Sequence, residues 1–267
     1  MARYNLAAMA RRQRNVRRSS VTIRDIEPPA TLATDLYRSC YMPVVNAWTN
    51  ALPRINSAYE RSLSELTHDS PADVRAEIDG AAEAINRLIL ILTPQVRDWA
   101  LQVERWYRGK WRGAVLSATG VDLQTMLGPE DVRASLETTI EWNTALIKDV
   151  SAQTQQRIGN SVFDGLRNRT PSREVAKSIS EATGMARARS QRIASDQLNK
   201  LTSSLAEERR REAGIDTWKW RSSHKLNHRP EHAARDGKEY TDATAPQDRP
   251  GQLPYCGCRG QAVVKFD

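Results

Sequence analysis

Apolar residues recur at helical spacing along most of this chain. Val96, Trp99, Val103 and Trp106 advance by three, four and three positions, which sets them on one stripe of a helix. Val132, Leu136, Ile140, Asn143, Ile147 and Val150 trace a second face that continues through Ile158, Val162 and Leu166, predicting one very long helix or two nearly collinear ones. Ser70-Pro71-Ala72-Asp73 and Thr93-Pro94 both read as helix starts, with a hydroxyl N-cap and a proline in the first turn, where its missing N–H has no intrahelical partner to lose. They predict helices from Pro71 to Leu92 and from Pro94 to Trp111. Thr170-Pro171 repeats the device, with Val175 and Ile179 inside and Gly184 as the expected stop. A last helix then runs from Met185 to Glu212 and closes at Gly214. Upstream, Asp35 to Trp48 and Ile55 to Leu66 read as helices broken at Pro43 and Pro53, and Gly120, Gly128 and Pro129 mark a loop.

After Gly214 the period shortens to two. Thr217-Trp-Lys-Trp-Arg221 alternates as a strand does, and Gly237 to Thr241 and Gln261 to Phe266 are further short strand candidates. Between the first two, Arg229-Pro230 opens and Gly237 closes a two-turn helix. The pattern therefore predicts a mainly α N-terminal helical region followed by a small α+β C-terminal domain. The expected boundaries are a flexible basic arm over 1–30, a helical region over 31–184, and a C-terminal domain over 185–267 comprising the long helix and the small unit. The core of such a unit is thin, so it needs a staple or a neighbour.

Charge gives the arm its meaning. The chain has 40 Lys+Arg against 32 Asp+Glu, a net charge of +8. Residues 1 to 24 hold Arg3, Arg11, Arg12, Arg14, Arg17, Arg18 and Arg24 and no acid. Arg11, Arg12, Arg14, Arg17 and Arg18 are candidates for contact with nucleic acid or an acidic partner; a solvated tail is the plain alternative. The helix from Met185 carries Arg187, Arg189, Arg192, Lys200 and Arg209-Arg210-Arg211 beside Asp196, Glu207, Glu208 and Glu212, which suits a salt-bridged face as well as a phosphate-binding one. A mean hydropathy of −0.63 and a longest apolar run of only Leu88 to Leu92 exclude a helical membrane span. Arginines interrupt every candidate signal segment, so a cytosolic protein is expected. The Trp99, Trp106, Tyr107 and Trp111 cluster is read as packing rather than base stacking.

Scarce residue types gather between Trp218 and Cys258, where three of the four His and two of the three Cys fall. Cys40 stands alone and a Cys-x-Cys pair is too close to bridge without strain, so Cys256 and Cys258 are reduced thiols or metal ligands. On a strand both point to one side. With His232 and His228 as further donors, and His224 upstream, the ligand types for tetrahedral zinc are present; no cofactor is fixed by the sequence, and zinc is the candidate. Equally, both thiols can pack as small apolar groups while His232 hydrogen-bonds within its turn. His232 and Asp236 lie one helical turn apart and can pair, with a cysteine as nucleophile, but no phosphate loop, His-Glu-x-x-His or nucleophile elbow accompanies them. The expectation is a protein without catalytic residues.

Five motifs in order carry a resemblance: Trp220-Arg-Ser-Ser, Arg229-Pro-x-His232, Asp236-Gly237, Pro250-Gly251 and Cys256-x-Cys258-Arg259. Together they resemble the C-terminal domain of the phage head morphogenesis family, the minor head proteins similar to the F protein of phage Mu. Order and approximate spacing hold from Met185 to Phe266. The chain departs from that pattern at Lys225-Leu-Asn227, at Arg189 and in its terminal Cys-Gly-Cys. The resemblance implies a structural protein of the virion that works in procapsid assembly, with the portal protein and the major capsid or scaffolding protein as partners and no membrane. It places the protein in the host cytoplasm during assembly and then in the head interior or at the portal vertex, beside phage DNA. Two other readings fit the residues: a zinc-stapled nucleic-acid-binding protein, and a metal-assisted hydrolase using His232 and Asp236.

Overall fold

Four helices account for most of the chain, and a four-stranded antiparallel sheet gathers near its C-terminus. The computed structural model describes residues 2–13, 18–65, 70–224, 226 and 228–266. The elements are α1 (Leu6–Gln13), β1 (Ser20–Thr22), α2 (Ala30–Leu36), α3 (Met42–Glu65), α4 (Ser70–Thr119), α5 (Arg133–Asn168), α6 (Ser172–Glu212), β2 (Trp218–Arg221), α7 (Pro230–Ala233), β3 (Glu239–Tyr240) and β4 (Arg259–Lys265). The predicted class, helices followed by a small α+β unit, is the observed one.

Helix boundaries differ from the sequence reading where proline or glycine was taken as a break. Helix α4 runs unbroken through Pro94 and α3 through Pro53. Pro94 is exposed, and Leu90, whose carbonyl loses its donor, is 68% exposed, so water can take the bond that proline forfeits. Pro43 follows a π-helical turn over Tyr37–Tyr41, in which the Met42 N–H donates to the Tyr37 carbonyl, so the wide turn falls just where proline cannot donate. Gly184 lies inside α6, without the positive φ that a helix stop requires; Gly214, with φ +68°, is the stop. The long face from Leu136 to Leu166 is one helix. The Ser70 side chain, the expected N-cap, and Leu66, the expected end of α3, lie outside the described residues.

The chain forms two compact units, one of residues Met1–Leu32, Trp99–Thr139 and Ser195–Asp267, the other of Ala33–Asp98 and Ile140–Ala194. They cut across the expected division at residue 184, because α4 and α6 are continuous and each contributes to both. No break in sequence pattern marks the change.

The second unit is helical. Its apolar stripe buries Val44, Val45, Trp48, Ile55, Ile85, Ile147, Ile158, Val162, Val175 and Ile179. Three of its aromatic polar atoms are paired: Tyr41 Oη donates to Asn143 Oδ1 at 3.1 Å, Trp48 Nε1 to Ser151 Oγ at 3.0 Å and Tyr59 Oη to the Thr170 carbonyl at 2.6 Å. Gly165 is a close approach, since a Cβ there would stand 2.7 Å from Val175 Cγ2 and 2.9 Å from Tyr59 Oη.

The first unit is built around the end of α6. Arg209, fully buried, donates to Glu104 Oε1 at 2.8 Å, Glu212 Oε2 at 2.9 Å, Asp131 Oδ2 at 3.3 Å and the Gly128 carbonyl at 2.8 Å. Burial opposes its charge, but the hydrogen bond to Glu212 and the fields of Glu212 and Glu104 hold its pKa above the usual value. The N-terminal chain caps the same helix: Arg3 and Tyr4 N–H donate to the Glu212 carbonyl at 2.9 and 3.0 Å, and Leu6 N–H to the Ala213 carbonyl at 3.0 Å. Trp99, Tyr107 and Trp111 are buried, as the packing reading expected, whereas Trp106 of the same cluster is only half-buried.

Sheet order is β1-β4-β2-β3, all neighbours antiparallel. Strand β1 pairs Ser20, Val21 and Thr22 with Lys265, Val264 and Val263. The expected flexible arm therefore contains a helix and an edge strand, because three short strands alone would leave the β4 ladder unpaired along one side. Arg14 and Arg17 lie outside the described residues. On β2, Trp218 and Trp220 are buried on one face while Lys219 and Arg221 face the other way, as the alternation predicted.

Two substitutions test this architecture by urea denaturation. Arg209→Ala leaves buried Glu104 with the more distant, partly exposed Arg108 at 3.5 Å and is expected to cost about 3–5 kcal/mol; a loss within the surface range of about 0.5 kcal/mol would mean the cluster carries little. Gly165→Ala gains up to about 1 kcal/mol of helix propensity but overpacks the site, so a net loss of about 1–2 kcal/mol is expected.

Candidate functional site

Helix α7 exists because Arg229 holds an extended conformation and Pro230 follows at the first helical position, leaving the Arg229 and Pro230 carbonyls to accept from Ala233 and Ala234 at 3.1 and 2.9 Å. The turn places His232 inward. After it, Gly237 at φ +76° returns the chain to β2, donating its N–H to the Trp220 carbonyl at 2.9 Å while Trp220 N–H donates to Lys238. The loop over 241–258 then carries both cysteines back beneath α7.

Three side chains converge. His232 Nδ1 lies 3.4 Å from Cys256 Sγ and 3.5 Å from Cys258 Sγ, and on its far side Nε2 stands 2.8 Å from Asp248 Oδ2. An ionised carboxylate only accepts, so Nε2 carries a proton toward Asp248, and in the neutral ring Nδ1 then turns its lone pair to the sulfurs. Arg235 Nη1 donates to the other Asp248 oxygen at 2.8 Å, which fixes the carboxylate, and packs over Trp220 at 5.0 Å. Although burial works against ionisation, these two donors hold the Asp248 pKa below its usual value. The His232 ring meets Trp220 edge-on at 5.0 Å. His232 is 2% exposed and each cysteine 3%, so the cluster is dry.

The two thiols share their protons unequally. Cys256 is pulled well below the ordinary thiol value, first by a hydrogen bond from Cys258 and then by the backbone N–H groups of Cys258 and Gly251. Cys258 is pushed up by the same contact, and the Ser223 N–H lies toward its sulfur. The Trp220 indole N–H also lies toward Cys258 Sγ but falls short of hydrogen-bond geometry, leaving this buried donor unsatisfied. Both cysteines are free thiols.

Measured against the expected site, the structure gathers His232, Cys256 and Cys258 as the one group of metal-ligand type found among the described residues, with all three donor atoms within 4.8 Å of one another. His228 and His224 are exposed and stand outside it. The cysteines precede β4 rather than lying on a strand; the turn closed by Cys256 N–H on the Leu253 carbonyl aims them inward instead. Asp236 does not pair with His232: it accepts from Ser222 N–H at 2.8 Å and faces His224 at 3.6 Å, because the helical turn ends before it. Arg229 donates to the Pro254 carbonyl at 3.1 Å, and Arg259 grips Asp25 through Nε and Nη2 at 3.0 and 2.8 Å. In the arm, Arg11 and Arg12 form the last turn of α1, where cations suit the helix dipole, and with Arg18 they are exposed. On α6 the basic residues are largely spent internally: Arg210 on Asp242, Arg211 on Glu207 and Glu208, Arg189 on Asp149, Lys200 on Asp196.

Sequence reasoning missed Asp248, Asp25 and the work of Gly251. No local spacing points to Asp248, sixteen residues from its histidine, or to Asp25 across the chain from Arg259. Gly251 had a signal in Pro250-Gly251, whose purpose is now visible. It sits at φ +75° against α6, where a Cβ would fall 2.1 Å from Ser203 Oγ and 2.7 Å from Ser203 Cβ. Gly251→Ala is expected to destabilise the unit by about 2–4 kcal/mol, positive φ and overpacking together, and to raise the reactivity of Cys256 toward alkylation. Unchanged thiol protection would show that the loop is held by other contacts.

Comparison with curated proteins and with solved structures finds no match. A comparison with protein families does: residues 156–261 match the family described as phage Mu protein F like protein, a span from within α5 to within β4 that holds α6, α7 and the whole His232, Cys256 and Cys258 cluster. The family read from five short motifs is thus the one that the comparison finds, and the chain carries a phage Mu F-like region over residues 156–261.

Proposed function

We propose that this protein is a minor head protein acting in phage procapsid assembly, seated against the portal protein or the inner shell, and that it performs no catalytic step. The observation that carries the reading is where the motif residues of the Mu F-like region are spent. Trp220, His232, Cys256 and Cys258 are buried together, Arg229 ties a loop carbonyl, Asp236 and Gly237 close a turn, and Arg259 fastens the N-terminal segment. These residues make a shape rather than a reaction centre. A Cys, His and Asp in series resemble a nucleophile arrangement, but exposures of 2–3% at the sulfurs and ring leave a substrate no approach.

Partners of the head fit the same picture. No helix among the described residues is long and apolar enough to cross a membrane. Long helices offer extended faces for the portal, the major capsid protein or a scaffold, and exposed Trp142, Leu90 and Ile91 are apolar points on them. Within a filled head the exposed Arg11, Arg12 and Arg18 face a polyanion, and contact with packaged DNA follows from their charge. Residence in the virion, after assembly in the host cytoplasm, belongs to this reading.

The test is co-expression of the full chain with the portal, scaffold and major capsid proteins of its own phage. Co-elution with a head protein, surviving the triple change of Arg11, Arg12 and Arg18 to Glu, is expected. The same variant should flatten the salt dependence of DNA binding by up to about 0.9 in log–log slope per lost phosphate contact. Salt-dependent DNA binding with no association to any head protein would overturn the assembly role in favour of a nucleic-acid-binding protein.

A further inference from the structure

We propose that His232 Nδ1, Cys256 Sγ and Cys258 Sγ bind one zinc ion, which staples the loop before β4 to α7. The inference stands independently of the role in head assembly. Geometry carries it. Zinc bonds of about 2.3 Å to sulfur and about 2.0–2.1 Å to nitrogen, opened to the tetrahedral angle, put nitrogen and sulfur about 3.6 Å apart. The two observed separations are 3.4 and 3.5 Å. Hydrogen bonding alone accounts for them poorly. An imidazole nitrogen has a single in-plane lone pair and can take one S–H well, yet two sulfurs stand at nearly equal distance from it.

The surroundings are those of a ligated metal. Asp248 accepts from the far ring nitrogen at 2.8 Å, which fixes the tautomer that leaves Nδ1 free to coordinate, and Arg235 holds Asp248 in turn. Charge decides in the same direction. Two thiolates in a dry pocket are costly, whereas a divalent ion with two thiolates and a neutral imidazole sums to zero. Soft sulfur donors with one imidazole favour zinc over magnesium, calcium or manganese. Three protein ligands leave a fourth tetrahedral position, which in so buried a pocket has room for no more than a small ligand that enters with the ion.

The ion also answers the thin core. Around Trp218, Trp220, Cys256 and Cys258, Tyr240, Ala245 and Leu253 pack as the partly buried apolar partners among the described residues. Binding energy that exists only in the folded state is folding energy, so a metal closing the chain from residue 232 to residue 258 stabilises what the core alone holds weakly.

The full chain, expressed in zinc-supplemented medium and purified without chelator or a polyhistidine tag, is expected to carry one zinc per chain by elemental analysis. Cobalt exchanged into the depleted protein should give thiolate-to-metal charge-transfer absorption and the visible bands of a tetrahedral ion. Cys256→Ser and Cys258→Ser should lose zinc loading, and Asp248→Asn, which keeps all three ligands, should weaken zinc affinity about 10–100-fold. If the serine variants fail to fold, the cobalt spectrum of the unaltered chain decides alone. A folded chain with substoichiometric zinc, no thiolate–cobalt absorption and two freely titrating thiols overturns the proposal. So does zinc loading that persists in both serine variants, which places the ion elsewhere.

Discussion

A guanidinium with no water around it is costly unless acceptors meet it, and Arg209 organises one unit of this protein by drawing acceptors to both of its Nη groups, its Nε staying unpartnered. Its acceptors come from the middle of α4, from the loop over 128–131 and from the last turn of its own helix. Removing the charge leaves Glu104, as deeply buried as Arg209, to the more distant Arg108 at 3.5 Å; keeping it obliges three separate stretches of chain to meet. The same helix end shows how backbone supply completes the job. Ile215 N–H reaches back to the Arg210 carbonyl and Gly214 N–H to Arg211, the pattern of a left-handed helix stop, while the next carbonyls, of Glu212 and Ala213, accept from Arg3, Tyr4 and Leu6. Residues 3–6 are thus positioned by the orphan acceptors of α6, and β2 begins from the same turn.

What the sequence made legible follows from how local each signal is. The apolar stripe from Leu136 to Leu166, the two tryptophans of β2 and the turns at Gly214 and Gly237 depend on neighbours within a few residues, and all are where the pattern put them. Pro94 and Gly184 misled because their usual effects hold for an isolated helix. A long helix with one face buried loses a single bond at an exposed proline and about 1 kcal/mol at a glycine, too little to end it. Strand β1 was illegible for the opposite reason. Three residues, Ser20-Val-Thr22, carry almost no propensity signal, and their partners lie at 263–265.

The candidate site divides along the same line. Residue types gave His232, Cys256 and Cys258 their place, because scarce ligands clustered in one stretch are visible without geometry. Which partner orients the histidine was not visible. Asp236 looked right at helical spacing, but α7 has only four residues and the chain turns away before Asp236 can face the ring. Asp248 reaches it from a loop whose path is set by Pro250-Gly251 packing on α6, a tertiary fact. Likewise Arg259 was recognised as a motif residue, yet its carboxylate partner, Asp25, sits at the far end of the chain, where only the β1–β4 pairing explains its arrival.

These long-range ties change what the basic N-terminal segment is. A flexible arm that touches a polyanion loses conformational freedom on contact, and that loss subtracts from affinity. Here Tyr4 and Leu6 are pinned to the end of α6, Ser20–Thr22 to β4 and Asp25 to Arg259, so the exposed Arg11, Arg12, Arg18 and Arg24 are displayed beside fixed points of a folded unit. Much of the ordering cost is met when the sheet forms rather than when a partner arrives. The same coupling runs in reverse. Strand β1 pairs with β4 alone, so loss of the sheet would remove a fixed point beside those arginines. In this protein the display of charge at one end of the sequence is a property of the core at the other.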